Sequence, residues 1–207
     1  MIGRRRFLLA AGATAGLAAL GPKLLRNSSL RRFERTSSAL GTKVSIVVLH
    51  GDERTAQSAL DAAFAEIETV EAIMSIYREG SELRRLNRKG VLDRPHRYFL
   101  EVLSHAAATS RATSGAFDVT VQPLWSLYAD AHRRGELPSP ESVVNSLKLV
   151  DWRKVDVQSD RVQLHQPGMQ ITLNGIAQGF AADRSLAVLK SHGVEHALVD
   201  AGELAPL

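Results

Sequence analysis

A glycine-containing turn before the last long helix is the segment best suited to bind a phosphate. Residues 172–183 read TLNGIAQGFAAD, where a strand-like stretch gives way to a helical pattern. The free N–H groups and the positive dipole end of such a helix attract anions. Gly175 permits close approach of the backbone, and its carbonyl could also coordinate a metal ion. The turn fits neither the Walker nor the three-glycine dinucleotide pattern, so an ordinary connection without a ligand stays open.

A second candidate lies at residues 114–120, which read SGAFDVT. A glycine that ends a helix places Ala116, Phe117 and Asp118 at a helix-to-strand corner, where backbone groups used by neither element face a ligand. Asp118 is the polar group of interest. Its alternative role is that of a capping or turn aspartate.

Two further segments carry groups that suit a ligand. Tyr77 follows a long helix and could stack on a flat ring, although a half-buried core tyrosine is the ordinary alternative. Residues 199–203 read VDAGE and combine a strand end, a glycine turn and two carboxylates. The same residues are also typical of a solvated turn.

Composition excludes several kinds of chemistry. The 207 residues include no cysteine, which excludes disulfides, zinc–thiolate sites, iron–sulfur clusters and a cysteine nucleophile. Seven histidines are scattered without paired metal-ligand spacing or a hydrolase-like setting. The net charge is +4, but residues 1–35 hold eight bases and one acid, whereas the remainder holds 18 bases and 21 acids. A nucleic-acid partner is therefore not expected.

Residues 1–35 are predicted to be an export signal and basic leader. Three arginines at positions 4–6 precede an apolar run at 7–20 that is too short to span a bilayer. Paired arginines followed by Phe7 and Leu8 resemble a twin-arginine signal, which predicts a location in the periplasm or at the outer face of the inner membrane. A basic N-terminal helix is the alternative.

Hydrophobic spacing predicts the elements that position these segments. We expect a long helix after an Asp52 N-cap, two more at 98–114 and 176–192, a short one at 141–147, and strands at 43–49, 116–121, 154–158, 161–166, 170–173 and 194–199. Helices interspersed with hairpins predict an α+β fold, with a mixed or antiparallel sheet packed against three main helices.

Six motifs in order resemble the ApbE family of FAD:protein FMN transferases over about residues 38–203. They are LGT (40–42), SIY (75–77), SELRRLN (81–87), SGAFDVTVQPL (114–124), LNGIAQGFAAD (173–183) and VDAGE (199–203). The resemblance implies that residues 36–207 are a flavin transferase domain. Such enzymes split FAD with magnesium, attach FMN to a threonine or serine of a client protein and release AMP. Clients are typically exported or membrane-bound electron-transfer proteins.

The same resemblance implies the site residues. It assigns FAD contacts to Leu40, Tyr77, Ala116, Phe117, Asp118, Thr172 and Gln178. It assigns the backbone carbonyl of Gly175 to magnesium, and it predicts that Gly175 and Phe117 lie together beside one cavity. Leu40 stands where the family usually has Met, Thr172 where an acid is common and Gln178 where Lys is common. The segments TLNGIAQG (172–179) and DAGE (200–203) resemble those of the branch that serves nitrous oxide reductase maturation.

The length of the chain leaves two functional hypotheses. Family members are longer and carry His-x-x-Asp-Pro and Ala-Asp-x-x-x-Thr segments with further magnesium ligands, whereas this sequence stops soon after Glu203. We therefore expect either a fragment or a truncated, inactive product, because magnesium needs about six oxygen ligands. The first hypothesis is an exported FMN-transfer enzyme in truncated form. The second is a non-catalytic periplasmic flavin-binding or assembly protein, and a structural domain without a ligand ranks third.

Overall fold

The folded domain begins earlier than the sequence predicts. The structure is a computed structural model that describes residues 30–207. The predicted leader up to residue 29 lies outside the described residues. Residues 31–35, which the sequence assigns to that leader, belong instead to strand β1 (Arg31–Ala39), which pairs with β2 (Thr42–His50). The boundary at residue 36 is therefore wrong, because Arg31 already pairs with His50.

The described chain contains two antiparallel sheets and six α-helices, as the α+β prediction requires. The helices are α1 (Glu53–Met74), α2 (Glu82–Lys89), α3 (Arg97–Ala112), α4 (Gln122–Arg133), α5 (Pro140–Leu147) and α6 (Ala177–Ser191). The other strands are β3 (Val91–Asp93), β4 (Val155–Val157), β5 (Arg161–Leu164), β6 (His196–Asp200) and β7 (Leu204–Pro206). The sheet orders are β1-β2-β6-β7 and β3-β5-β4. Within residues 30–207, no helix combines the length and apolarity needed to cross a membrane.

The main core lies between the larger sheet and helices α1 and α6. Val44, Ile46 and Val48 alternate along β2 and are fully buried, as the two-residue period of a strand requires. Helix α1 begins where the sequence predicts, because the side chain of Asp52 accepts a hydrogen bond of 2.7 Å from the N–H of Thr55. The long helices therefore rest on one apolar face of the sheet.

Two of the predicted strands are wrong. Residues 116–121 form a bend and a short 3₁₀ turn (Val119–Val121) that runs directly into α4. Their β-branched residues favour a strand, but the side chain of Asp118 caps the turn and a proline occupies the first turn of α4. Residues 170–173 are irregular, because the backbone of Ile171 bonds to a side chain rather than to a strand. Helices α2 and α4 and strands β1, β3 and β7 were not predicted.

Asn87 fastens the irregular segment that precedes the turn before α6. Its Nδ2 donates to the carbonyl of Ile171, and its Oδ1 accepts from the N–H of Ile171, both at 2.8 Å and across 84 positions of the sequence. Ile171 is fully buried, so its backbone groups have no water to replace these bonds. The side chain of Asn87 therefore makes the two backbone hydrogen bonds that a neighbouring strand would otherwise make.

We expect Asn87→Ala to lower the free energy of unfolding by about 2–4 kcal/mol, because one buried donor and one buried acceptor lose their partner. Urea titration followed by circular dichroism measures the change. Asn145→Ala is the matched control, because Asn145 is exposed and its side chain accepts only from Lys148. Equal unfolding midpoints for the two variants would contradict the role of Asn87.

Candidate functional site

The start of α6 is the point where distant segments meet. A Cβ atom added to Gly175 would lie 3.4 Å from Cε2 of Phe117, so the backbone and the ring are in van der Waals contact. On the other side, a Cβ added to Gly202 would lie 3.0 Å from the carboxamide of Gln178. The structure therefore brings Phe117 and Gly175 together, as the sequence predicts, and adds the turn between β6 and β7.

A cavity of about 500 Å³, which we call pocket A, opens beside this point. It is lined by the β1–β2 turn, the end of α1 with the loop after it, and the turn before α6: Leu40, Gly41, Glu71, Met74, Ser75, Ile76, Tyr77, Arg78, Asn174, Ala177 and Gln178. Three predicted FAD-contact residues, Leu40, Tyr77 and Gln178, thus share one cavity. Its size and mixed lining suit a planar organic ring.

Leu40 reaches pocket A from a strained backbone conformation. Leu40 and Gly41 form the two-residue loop between the paired residues Ala39 and Thr42, and their φ angles are +54° and +72°. Two positive φ values match the twist of a tight hairpin. A leucine in this region costs on the order of 1–2 kcal/mol, because its Cβ approaches the backbone. The hairpin pairing holds this conformation and places Leu40 at the rim of the cavity.

Tyr77 presents its ring to solvent at the same cavity. Its side chain is 69% exposed, so the alternative of a half-buried core tyrosine is wrong. The backbone is held on both sides: the N–H donates to Ser75 Oγ (3.1 Å), and the carbonyl accepts from Arg84 (3.4 Å). A fixed backbone and an open ring are what stacking against a flat ligand requires.

Arg78 supplies the positive charge of pocket A. Its guanidinium donates to both oxygens of Glu68 and to Glu71 Oε2 at 2.9 Å. The hydrogen bond from Arg78 lowers the pKa of Glu68, and the same bond raises the pKa of Arg78. Two carboxylates therefore hold Arg78 in place. Their negative charges also weaken the attraction of Arg78 for an anionic ligand.

A second cavity of about 450 Å³, pocket B, lies on the other side of the turn before α6. It is lined by Glu101, His105, Asn174, Gly175, Ile176, Gln178, Gly179, Phe180, Asp183, Arg184 and Glu203. The carboxylates of Glu101, Asp183 and Glu203 give pocket B an acidic character. The guanidinium of Arg184 is held in place by a hydrogen bond of 2.7 Å that it donates to the hydroxyl of Tyr98. Such a lining suits hydroxyl and amino donors better than a phosphate.

The two pockets are neighbours at the start of α6. Asn174 and Gln178 line both of them. No side chain of the described residues caps the helix at Ile176. The N–H of Ala177 donates to the carbonyl of Leu173 at 2.8 Å, so the next N–H groups of the first turn, those of Gln178 and Gly179, are the ones that an anion at the junction could use. A ligand with an anionic centre and two organic ends fits this arrangement.

Asp118 acts as a clamp beside the site. Its Oδ1 accepts from the N–H (2.8 Å) and the hydroxyl (2.6 Å) of Thr120, and its Oδ2 accepts from the N–H of Trp152 (3.0 Å). Asp118 lines neither pocket. The capping role, which the sequence left open as the alternative, is the one that these bonds show.

Three other residues that the sequence assigns to FAD also lie outside the linings of both pockets: Ala116, Phe117 and Thr172. Ala116 is exposed at the bend after α3. The N–H of Thr172 donates to the carbonyl of Val119 at 2.8 Å, which ties the segment before the turn to the 3₁₀ turn. These residues connect the segments around Gly175 and do not reach either cavity.

The described residues do not form a complete magnesium site. The predicted carbonyl ligand belongs to Gly175, which lines pocket B. In the part of the chain that the structure describes, no three His, Asp or Glu side chains lie close enough together to hold a metal ion. Because magnesium requires about six oxygens in octahedral array, this part contributes at most a share of the ligands.

Sequence reasoning missed several residues that line the pockets. Arg78 lies ten positions from Glu68 and seven positions from Glu71 in the sequence. It meets both carboxylates because the chain leaves α1 after Met74 and turns back along the helix. Asn174 stands in the recognised turn, and its place inside the LNG motif was the available signal. Glu203 was noted only as part of a turn, and it lines pocket B.

Comparisons with known proteins agree on one family. The model of the ApbE family matches residues 40–205. A curated relative from Treponema pallidum, named FAD:protein FMN transferase, is 29% identical over 188 residues, covering 84% of this chain and 51% of the relative. One of the same name from Haemophilus influenzae is 28% identical over 180 residues, covering 81% and 51%. The chain thus spans about half the length of these curated relatives.

Solved structures show the same fold. The flavinyl transferase ApbE of Pseudomonas stutzeri, in its apo form, matches with a TM-score of 0.77 and 25% identity, over 86% of this chain and 58% of that one. The ApbE protein of Thermotoga maritima matches with a TM-score of 0.73 and 27% identity, over 84% and 57%. The α+β architecture and its partial extent both agree with these structures.

We expect Asp118→Ala to destabilise the protein by about 1–3 kcal/mol, because the N–H groups of Thr120 and Trp152 lose their acceptor. The FAD contact that the resemblance assigns to Asp118 predicts weaker FAD binding instead. Urea unfolding measures stability, and FAD titration measures affinity in parallel. Asp160→Ala, in the exposed turn between β4 and β5, is the control. A variant of normal stability that loses FAD affinity would instead indicate direct contact.

Glu68 gives a pH-dependent contribution to stability. Its pKa in the folded state lies below the usual 4.5, so its ion pair with Arg78 stabilises the fold above that pH and the contribution is lost as pH falls through the lowered pKa. We expect Glu68→Gln to cost about 0.2–1 kcal/mol at neutral pH, since the pair is largely exposed, and nothing in strong acid. Urea midpoints at both pH values test this, with Glu195→Gln as control. An equal cost at both pH values would contradict it.

Proposed function

Because this chain belongs to the ApbE family, we propose that it takes part in transferring FMN from FAD to a threonine or serine hydroxyl of an acceptor protein. The activity is a proposal because the curated relatives that carry this name are about twice as long. The observation that supports it most directly is the pair of adjoining cavities at the uncapped start of α6.

The shape of FAD fits the two cavities. The isoalloxazine ring would lie in pocket A, between the apolar side chains of Leu40 and Met74 and the open ring of Tyr77. The pyrophosphate would lie at the first N–H groups of α6, where the helix dipole favours negative charge. The adenosine would enter pocket B, whose carboxylates accept hydrogen bonds from ribose hydroxyls and the amino group.

The reaction is a phosphoryl transfer that depends on position and charge. The acceptor hydroxyl oxygen forms a phosphoester bond with the phosphorus of the FMN half, the bond from that phosphorus to the bridging oxygen breaks, AMP leaves and the hydroxyl proton is released. A bound magnesium ion would neutralise charge on the pyrophosphate. The described residues contribute the backbone of Gly175 and the start of α6, which hold the pyrophosphate and keep the reacting phosphorus in place.

Two departures from the usual family pattern replace charged groups by neutral ones. Gln178 stands where Lys is common, and its neutral carboxamide packs against Gly202 at the junction of the pockets. Thr172 stands where an acid is common and lies outside both linings. The loss of one positive and one negative group partly compensates, which supports a variant site of the kind found in the nitrous oxide reductase branch.

A second function, flavin binding without transfer, has one specific observation in its favour. The described residues offer FAD two cavities, yet they supply no cluster of three metal-binding side chains. A protein that binds FAD in this way would serve as a carrier or assembly factor. The twin-arginine-like leader supports the same location for both functions, in the periplasm or at the outer face of the inner membrane, beside an exported or membrane-anchored electron-transfer client.

We expect Tyr77→Ala to weaken FAD binding by about 1–3 kcal/mol through loss of stacking, and Tyr77→Phe to retain affinity. Quenching of FAD fluorescence measures the dissociation constants. Tyr128→Ala is the control, because Tyr128 is also an exposed tyrosine but lines neither pocket. Equal FAD affinities for all variants would contradict the proposal that the isoalloxazine ring stacks on Tyr77 in pocket A.

Mass spectrometry separates the two functions. The protein is incubated with FAD, magnesium and an exported electron-transfer domain, and the domain is then weighed. A gain equal to one FMN supports transfer. Saturable FAD binding with no gain in mass supports the carrier role.

A further inference from the structure

A groove of about 720 Å³ lies between α2 and α4 and is larger than either pocket. We call it the α2–α4 groove. It shares Ile76 and Tyr77 with pocket A, so the two surfaces are continuous past the ring of Tyr77. A chain that lies in the groove and extends beyond Tyr77 therefore enters the cavity assigned to the flavin.

The rim of the groove is basic. Arg84 and Arg88 project from α2 and Arg133 from the end of α4, whereas Asp130 is the one acid in the lining and pairs with Arg133. Arg88 is exposed and, within residues 30–207, forms no ion pair or side-chain hydrogen bond. Since residues 36–207 as a whole hold more acids than bases, this basic rim is a local feature and not a general polyanion surface.

The floor of the groove suits a peptide. Trp125 is 49% exposed, although so large an apolar side chain is usually highly buried unless it contacts a partner. The side chain of Gln122 is 7% exposed: its Nε2 donates to Ser126 Oγ at 2.9 Å, while its Oε1 is buried without a partner in the described chain. That oxygen is an acceptor to which a backbone N–H of a bound segment could donate. An aromatic anchor, a buried amide and a charged rim together describe a recognition surface.

We propose that the α2–α4 groove docks the acceptor protein through an extended segment with acidic side chains beside the hydroxyl that receives FMN. The acids pair with Arg84 and Arg88, an apolar side chain covers Trp125, and the hydroxyl passes Tyr77 toward pocket A. This inference rests on the proposed function for its purpose, but the binding itself requires no FAD.

The test uses a short synthetic peptide with aspartates on both sides of one threonine, and the same peptide with asparagines in their place. Protein without FAD is titrated with each, and tryptophan fluorescence reports binding, with Trp125→Phe identifying the signal of the groove. We expect the acidic peptide to bind and Arg88→Glu to weaken it about tenfold, because like charges then meet at the rim. Arg54→Glu on α1 is the charge-matched control, since Arg54 is exposed and outside the groove.

Two results would overturn the docking site: equal binding of the acidic and neutral peptides, including no binding of either, or equal effects of Arg88→Glu and Arg54→Glu. The FAD affinity of the Arg88→Glu variant is measured in parallel. We expect it to equal that of the unsubstituted protein, because Arg88 lines neither FAD pocket. Selective peptide binding without any FMN transfer would leave the docking site standing and refute only the transfer function.

Discussion

Close packing around the first turn of α6 is the constraint on which the site depends. A Cβ added to Gly175 would lie 3.4 Å from the ring of Phe117, an ordinary contact distance, whereas a Cβ added to Gly202 would lie only 3.0 Å from the carboxamide of Gln178. Gly202 also has a φ of +95°, which other residues rarely adopt. The turn before α6 therefore lies between the ring of Phe117 and the β6–β7 turn. The two cavities are defined by that position, since Asn174 and Gln178 line both.

Irregular backbone around this turn is stabilised by side chains in place of strand pairing. Asn87 bonds to both backbone groups of Ile171, and Asp118 accepts from Thr120 and Trp152. The bonds from Asn87 to Ile171 and from Trp152 to Asp118 join segments that are remote in sequence, whereas the bond from Thr120 to Asp118 is local. All of them satisfy backbone groups that burial would otherwise leave unpaired. The backbone of these irregular segments is not paired in a sheet and can therefore approach a ligand. Its position is still fixed by the side-chain bonds to the core.

The long helices α1, α3 and α6 were predictable from the sequence, whereas the irregular segments that side chains stabilise were not. The apolar period of α1 and its Asp52 cap, and the glycines that follow α3 and α6, mark those helices directly. Residues 116–121 and 170–173 carry strand-like composition, but bonds from Asp118 and Asn87 arise only after folding. For the site, the motifs identified the segments that meet. They did not separate residues that line a cavity from residues that support one, because both belong to the same short motifs.

The two-residue hairpin loop of Leu40 and Gly41 sets the register of the larger sheet. Its two-residue length fixes the pairing of β1 with β2, and a one-residue slip would turn Val44 and Ile46 from the core toward solvent. Loop length at this place is therefore coupled to the integrity of the whole sheet. A change of loop length that shifted this register would expose core residues, whereas a substitution at Leu40 alters the rim of pocket A and leaves the strand pairing in place.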